Sequence, residues 1–186
     1  MPEKITETDL IHALSGVFRT YGYEGASMAL ISQATGLKKS SLYHRFPDGK
    51  QQMARAVAHA ISGGIEKQAL APLNGPGSPK ARVKQAAQRL NTFYENGNKP
   101  CALDTLSIAG DQGEATLAEL RESYDALIKG FTNIAIEAGT KPKAAQQRAI
   151  RAIVLIEGAL VVTRITGDSD SFKRVIKELP DLLCDA

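Results

Sequence analysis

The stretch Gly36–Lys50, GLKKSSLYHRFPDGK, decides how the rest of the sequence is interpreted. A glycine opens it and Pro47 lies near its end, and between them Leu42 and Phe46 have the i, i+4 spacing of a short amphipathic helix. Lysines stand at the start of this helix and of the next one, although the partial positive charge of a helix N-terminus favours anions. The pattern therefore indicates an external anionic partner, and phosphate is the first candidate.

Positive charge is concentrated near the N-terminus. Residues 36–55 contain five basic side chains and one acidic side chain, whereas residues 71–186 contain 15 basic and 14 acidic side chains. Since the net charge of the 186-residue chain is only +3, almost all of the excess belongs to the N-terminal part. One face near that end is therefore expected to meet a polyanion.

Composition excludes several other classes of protein. The 43% hydrophobic and 23% charged residues are ordinary for one or two globular domains, and no apolar run reaches the ~18 residues of a transmembrane helix. The N-terminus lacks the pattern of a secretory signal, so we expect a cytoplasmic protein. The two cysteines lie far apart and the three histidines do not cluster, so we expect no disulfide framework, no zinc site and no cofactor.

The chain is predicted to be all-α, with about nine helices, because no stretch combines alternating polarity with the residue enrichment of a strand. The predicted helices cover about residues 7–21, 28–35, 39–46, 48–71, 81–95, 101–109, 114–138, 143–166 and 169–183. The first is expected to end at Gly22. In the second we expect buried residues at Ala29, Leu30, Ile31 and Ala34. Asp48 is expected to cap the fourth, with Gln51 as the reciprocal residue of a capping box.

The segments 28–35 and 39–46 match a helix-turn-helix, in which two short helices meet at a tight glycine turn and a preceding helix braces them. The second helix of this motif presents its N-terminal side chains to the major groove of DNA. The side chains at that place here are Lys38, Lys39, Ser40 and Ser41. Tyr43 and His44, one turn further on, are expected to reach phosphate oxygens, and Lys50 to act as a phosphate clamp.

A simpler interpretation treats Gly36 as an ordinary loop residue and the lysine-rich turn as solvated surface. For any single residue this interpretation is adequate, and for Leu37, Leu42 and Phe46 core packing is the expected role. It does not explain three lysines at helix starts with small polar residues, Ser40 and Ser41, between them. The residues taken together therefore favour a DNA-binding surface.

This part of the chain resembles the N-terminal domain of TetR/AcrR-type transcriptional regulators. The resemblance rests on Ser27, Ala34, Gly36, Leu37, Lys39, Leu42, Tyr43, His44, Phe46, Lys50 and Met53. It implies an all-helical domain that binds operator DNA as a homodimer, usually as a repressor released by a small ligand. It also adds Ser27 to the expected phosphate contacts.

Two further features relate the chain to this family. Lys38 departs from the serine, threonine or proline that the family commonly has there, so either the helix begins without a side-chain cap or Lys38 adds a phosphate contact. FPDGK, Cys101 and the TGD sequence at 166–168 resemble the LmrA/YxaF-like subgroup. We expect a DNA-binding domain over residues 1–50, a connecting helix over 48–71, and an effector-binding and dimerisation domain over 72–186, with the Pro- and Gly-rich loop Pro72–Lys80 as boundary.

The last two predicted helices indicate self-association. The helix over 143–166 is apolar almost all round after Ala149, so it must be covered on two sides. The helix over 169–183 has an apolar stripe close to heptad spacing. Both fit a two-fold intersubunit four-helix bundle, and the alternative is that they complete a monomeric core.

The effector and the chemistry of its site are less defined by the sequence. The family places its effector pocket in the C-terminal helices, where candidate lining residues are Phe93, Tyr94, Leu106, Tyr124, Ile128, Phe131 and Glu157. Cys101 is either a redox or electrophile sensor or a small buried hydrophobe. No catalytic motif is present, so an enzyme is not expected, and a helical interaction protein that has lost DNA binding is the remaining alternative.

Overall fold

The computed structural model describes residues 5–108 and 110–185, and these residues form nine α-helices, a short 3-10 turn at Glu95–Gly97 and no strand. The predicted all-α class is therefore confirmed. The helices are α1 (Glu7–Gly25), α2 (Met28–Thr35), α3 (Lys39–Arg45), α4 (Lys50–Ile65, continued by a π-helical turn at Glu66–Leu70 and a last turn at Ala71–Leu73), α5 (Pro79–Phe93), α6 (Ala102–Ser107), α7 (Glu114–Glu137), α8 (Pro142–Thr166) and α9 (Asp170–Cys184). Ala109, the predicted end of the sixth helix, lies outside the described residues.

The helices divide into two compact units. The first contains the described residues up to Ser62 together with Ala102–Arg121, and the second contains Gly63–Cys101 and the described residues from Glu122 onwards. The segment Ala102–Arg121 lies within the predicted C-terminal domain but is grouped by its contacts with the N-terminal helices. The functional division into residues 1–50 and 72–186 stays a prediction.

The first helix begins and ends with local signals that the sequence carries. The Thr6 hydroxyl caps it by accepting a hydrogen bond from the Asp9 backbone N–H at 3.1 Å. Gly22 has φ +65°, as expected of a glycine that breaks a helix, but α1 continues to Gly25. The continuation is possible because the Ala26 backbone N–H bonds the Gly22 carbonyl at 3.2 Å and closes one more turn.

Two details of α2 and α4 differ from the sequence prediction. Ala29 and Ala34 are exposed and Leu30 is only partly buried, because an eight-residue helix buries the single stripe formed by Ile31 and Thr35. The capping box at Asp48 and Gln51 is also wrong. Helix α4 begins one residue later, after Gly49, and it is the Gln52 side chain that accepts the Asp48 backbone N–H at 3.1 Å. Gly49 has φ +62°, which is not a helical conformation, so the helix begins at Lys50.

The second unit is built around α9, which packs on α5 and α8. Most of its apolar stripe lies in the core of this unit, namely Phe172, Ile176, Leu179 and Leu183. Two glycines permit unusually close approaches. A Cβ at Gly130 would lie 2.5 Å from Cδ2 of Leu70, and a Cβ at Gly97, where φ is +93°, would lie 2.8 Å from Cβ of Phe172.

Replacing Gly97 with alanine is therefore expected to destabilise the protein by roughly 2–4 kcal/mol, because the new methyl group meets both a left-handed backbone and the Phe172 side chain. Thermal unfolding followed by circular dichroism measures this loss. Gly63→Ala is the control, since Gly63 is an exposed helical residue with nothing within 4 Å of its Cβ position, and it should gain about 0.5–1 kcal/mol. A Gly97→Ala variant with the same Tm as the wild type would contradict this prediction.

Candidate nucleic-acid interface

Helix α3 has one buried face and one exposed polar face. Leu42 is fully buried and Phe46, the residue after the helix, is also buried, so the helix is anchored at i, i+4. The opposite face consists of exposed side chains, namely Lys39, Ser40, Ser41, Tyr43, His44 and Arg45. Residues 36–47 contain no aspartate or glutamate. The exposed face therefore carries donors and positive charge without an internal counter-charge on the same segment.

Several predicted contact residues lie together on this face. A cleft of about 440 Å³ is lined by Leu37, Ser40, Ser41, His44 and Arg45. The prediction missed Arg45, although its i, i+4 spacing from Ser41 places it on the same side of the helix. A guanidinium group donates to phosphate or to guanine as well as lysine does, so Arg45 belongs with the candidate contacts.

The start of α3 has no side-chain cap. Lys38 occupies the N-cap position with φ −66° and ψ 150°, the extended conformation that capping residues adopt, but its side chain makes no capping hydrogen bond. No hydrogen bond or ion pair of the Lys38 or Lys39 ammonium group occurs within residues 5–108 and 110–185. The start of α3 is therefore uncapped, and a phosphate contact of Lys38 stays a prediction.

Ser27 and Tyr43 lie at the two ends of the helix-turn-helix. The Ser27 hydroxyl caps α2 by accepting the Leu30 backbone N–H at 3.2 Å, which leaves its own proton free to be donated outward. The Tyr43 side chain is 49% exposed. Its ring lies against Gly49, where an added Cβ would be 3.2 Å from Cε1 of Tyr43. The glycine at the start of α4 thus leaves room for this ring.

Lys50 is bonded within the protein. Its Nζ donates a hydrogen bond to the backbone carbonyl of Tyr23 at 2.9 Å and lies 4.2 Å from the centroid of the Tyr23 ring. The neighbouring Gln51 side chain donates from Nε2 to the carbonyl of Asp111 at 2.9 Å and to its carboxylate at 3.1 Å. The ammonium group that was predicted to clamp phosphate therefore already has a carbonyl and an aromatic ring as partners.

The predicted effector residues do not all lie in one unit. Leu106 is buried in the first unit, and the second contains Phe93, Tyr94, Tyr124, Ile128, Phe131 and Glu157. There, Phe93 and Tyr94 pack edge to face with ring centroids 5.1 Å apart, and Tyr94 makes the same kind of contact with Phe172 at 5.9 Å. Phe131 is buried. Tyr94, Phe131 and Phe172 belong to the core of the second unit, whereas Phe93 is only partly buried, and the role of the predicted residues in effector binding stays a prediction.

Cys101 lies next to this aromatic cluster. Its side chain is buried, and the Tyr94 hydroxyl donates to Sγ at 3.7 Å. Thiol reactivity requires access to solvent as well as an electropositive environment, so burial favours the structural interpretation of Cys101 over the sensor interpretation. A separate surface cleft of about 410 Å³ lies between α5 and α9, where its lining includes Lys84, Ile176 and Lys177. None of the predicted effector residues lines it.

The described residues contain neither a membrane-spanning helix nor a metal-binding cluster. No helix in this part of the chain is both long and apolar enough to cross a membrane. No group of three or more His, Cys, Asp or Glu side chains among the same residues is arranged to hold a metal ion.

Two family models match the chain. The model for bacterial regulatory proteins of the tetR family matches residues 10–57, and the model for the C-terminal domain of LmrA/YxaF-like transcriptional regulators matches residues 79–178, more than half of the chain. The HTH-type transcriptional regulator LmrA of Bacillus subtilis is 20% identical over 177 residues, with 94% of each chain covered. These matches relate both halves of the chain to transcriptional regulators.

Solved structures of similar fold agree with these matches. A TetR transcriptional regulator from Legionella pneumophila superposes with a TM-score of 0.83 at 20% identity, covering 98% of this chain and 100% of the other. A cysteine mutant of the TetR-family regulator CifR, complexed with a 26-bp double-stranded operator, superposes with a TM-score of 0.76 at 18% identity and covers 97% of this chain and 98% of its own. The fold is therefore that of TetR-type regulators.

The uncapped start of α3 generates a prediction about stability. Lys38→Ser should supply the missing acceptor for the backbone N–H groups of the first turn and stabilise the protein by about 1 kcal/mol, or about 2–4 °C in Tm. Lys38→Ala is the matched control, because it removes the lysine without adding an acceptor, and it should leave Tm unchanged. Equal Tm values for the two variants would show that the first turn does not need a cap.

Proposed function

This chain belongs to the TetR family of bacterial transcriptional regulators and carries an LmrA/YxaF-like C-terminal domain, and we propose that it is a repressor that binds a near-palindromic operator as a homodimer and is released by a small molecule. It is a DNA-binding regulator of transcription and not an enzyme. The proposed place of action is the bacterial cytoplasm, where the chromosome lies. The observation that carries the DNA-binding proposal is the exposed polar face of α3, anchored from behind by Leu42.

The contacts with DNA are proposed to fall into two groups. Lys39, Ser40 and Ser41, near the N-terminus of α3, are placed to read base edges in the major groove. The backbone contacts are Ser27, Lys38, Tyr43, His44 and Arg45, whose exposed donors suit phosphate oxygens. Phosphate contacts supply most of the affinity and its salt dependence, whereas base contacts supply the sequence preference.

An exposed apolar strip on α8 supports the homodimer. Val154 is 62% exposed and Ile165 is 77% exposed, and Ile150 and Val162 lie on the same face. Gly158 lies between them, and nothing comes within 4 Å of the place where its Cβ would be, so another helix can approach closely. An unpartnered strip of this kind on a 25-residue helix is typical of an interface.

The two helices predicted to form the dimer, α8 and α9, differ in how much of their apolar surface is exposed. The apolar stripe of α9 mostly completes the core of the second unit, with Val175 and Leu182 only partly buried. We therefore assign the larger part of the interface to α8. A two-fold dimer places two α3 helices on one duplex, and contacts one helical turn apart, ~34 Å, require an operator with matching two-fold symmetry.

Release is proposed to follow from effector binding in the second unit. An effector that binds more tightly to an arrangement of the dimer in which the two α3 helices are wrongly spaced for the operator shifts the population toward that arrangement. Operator affinity then falls by the coupling free energy between the two sites. The partly buried Phe93, which packs on Tyr94, supports this placement, because small-molecule sites are lined mainly by apolar and aromatic side chains. The sensor alternative through Cys101 has less support, since the thiol is buried.

Selection of bound duplexes from a random library tests DNA recognition. The purified protein should enrich a near-palindromic sequence at moderate salt, and no enrichment would contradict the proposed function. Lys39→Ala should weaken binding to the enriched duplex by roughly 5–100-fold and relax the preference at one position of each half-site. Lys129→Ala, which removes an exposed lysine from the second unit, should bind like the wild type.

A charge within the apolar strip tests the homodimer. Val154→Glu should convert the protein from dimer to monomer in sedimentation equilibrium, because an interface core does not tolerate an unpaired carboxylate. It should also abolish binding to the selected palindrome while helicity is retained. Gln85→Glu, which adds the same charge to an exposed position of α5, should remain dimeric. A dimeric Val154→Glu variant would place the interface elsewhere.

A further inference from the structure

The contact between Lys50 and Tyr23 joins the start of α4 to the end of α1. The regular backbone of α1 is interrupted at Gly22, where ψ is −177°, and Tyr23 follows directly. Carbonyl groups in the last turn of a helix have no intrahelical partner and carry partial negative charge, so a cation is favourable there. The Lys50 ammonium supplies that cation at 2.9 Å.

The same side chain gains a second interaction from the Tyr23 ring. The ammonium lies 4.2 Å from the ring centroid, within the range of a cation–π interaction. The ring is buried and stacks on Phe18 with an interplanar angle of 3°. Burial raises the pKa of the Tyr23 phenol, and the nearby carboxylates of Asp111 and Glu24 raise that pKa further. The surroundings of the ring are thus poorly solvated and negative, which strengthens its attraction for a cation.

This contact removes one of the three lysines from the electrostatic mismatch at the helix starts. At the N-terminus of α4 the Lys50 charge is unfavourable, but the side chain carries it away to the C-terminal carbonyls of α1. Lys38 and Lys39 are exposed and have no such partner within the described residues. Of the three helix-start lysines, Lys38 and Lys39 at the start of α3 therefore keep their charge available to DNA.

The residues that follow Tyr23 and Lys50, Glu24 and Gln51, are also connected, through hydrogen bonds to Asp111. The Gln51 amide donates to Asp111, and the Asp111 backbone N–H donates to the Glu24 carboxylate at 3.0 Å. Two consecutive residues at the start of α4 are thus connected to two consecutive residues near the end of α1. Lys50 bonds Tyr23 directly, and Gln51 is linked to Glu24 through Asp111.

The position of α4 determines the position of the DNA-facing helix. Between α3 and α4 the backbone makes a tight turn in which the Gly49 N–H donates to the Phe46 carbonyl at 2.9 Å. We propose, on the basis of the function proposed above, that Lys50 is a positioning residue, which holds the start of α4 and hence α3 on α1, and that its ammonium does not contact phosphate. This proposal replaces the phosphate clamp expected from the sequence.

The test compares Lys50→Met, which keeps the length of the side chain and removes the charge, with Lys50→Arg, which can bond the same carbonyl and ring. Lys38→Ala serves as the phosphate-contact control. For each variant, Tm is measured without DNA. The affinity for the selected duplex is then measured between about 50 and 200 mM salt, at a temperature well below the lowest Tm. If Lys50→Met does not fold, Lys50→Gln takes its place.

Lys50→Met is expected to lower Tm by about 3–6 °C and operator affinity by about 3–10-fold, while the slope of log affinity against log salt stays that of the wild type. Lys50→Arg should restore both Tm and affinity. Lys38→Ala should keep the wild-type Tm and reduce the slope by about 1. A slope reduced by about 1 in Lys50→Met, or a wild-type Tm in that variant, overturns the proposal. If the wild type selects no duplex, the proposed function fails, and the Tm values of the methionine and arginine variants still decide whether the internal contact stabilises the protein.

Discussion

Burial of Leu42 and Phe46 is the constraint on which the proposed DNA-binding surface depends. A helix of seven residues, such as α3, is not stable in water by itself, since helix nucleation costs more than so few hydrogen bonds return. The buried pair anchors the helix in the first unit and leaves the other side for Lys39, Ser40 and Ser41. The same anchor determines which side chains face outward, because residues one turn apart share a face.

The lysines around this anchor illustrate a division between stability and function. At Lys38 the backbone has the conformation of an N-cap, yet the side chain provides no acceptor for the first turn. A residue that leaves a helix uncapped while presenting positive charge is typical of a functional site that gives up stability. Lys50 differs, because its ammonium group donates a hydrogen bond to the Tyr23 carbonyl within the protein. Cations that look equivalent in the sequence thus lie in different surroundings.

The second unit shows why apolar stripes alone do not identify an interface. The sequence gives α8 and α9 similar apolar character, and both were predicted to pair with a partner subunit. The structure separates them: α9 directs Phe172 and Leu179 into the core, whereas α8 leaves Val154 and Ile165 exposed. Periodicity shows that a helix has an apolar face, but the packing of the whole unit decides whether that face is covered within the chain.

The sequence by itself determined the local features. Helix periodicity, the break at Gly22, the glycine turn at Gly36 and the spacing of Leu42 and Phe46 are encoded within a few residues, so the all-α class and the helix-turn-helix could be predicted. Only the tertiary structure decided the contacts between distant segments. These include the Lys50 contact with a carbonyl 27 residues earlier, the tie from Gln51 to Asp111, and the grouping of Ala102–Arg121 with the N-terminal helices. Backbone carbonyls are present at every residue, so no sequence pattern marks the one that a lysine will bond. That choice depends on where the folded chain leaves a carbonyl without a partner.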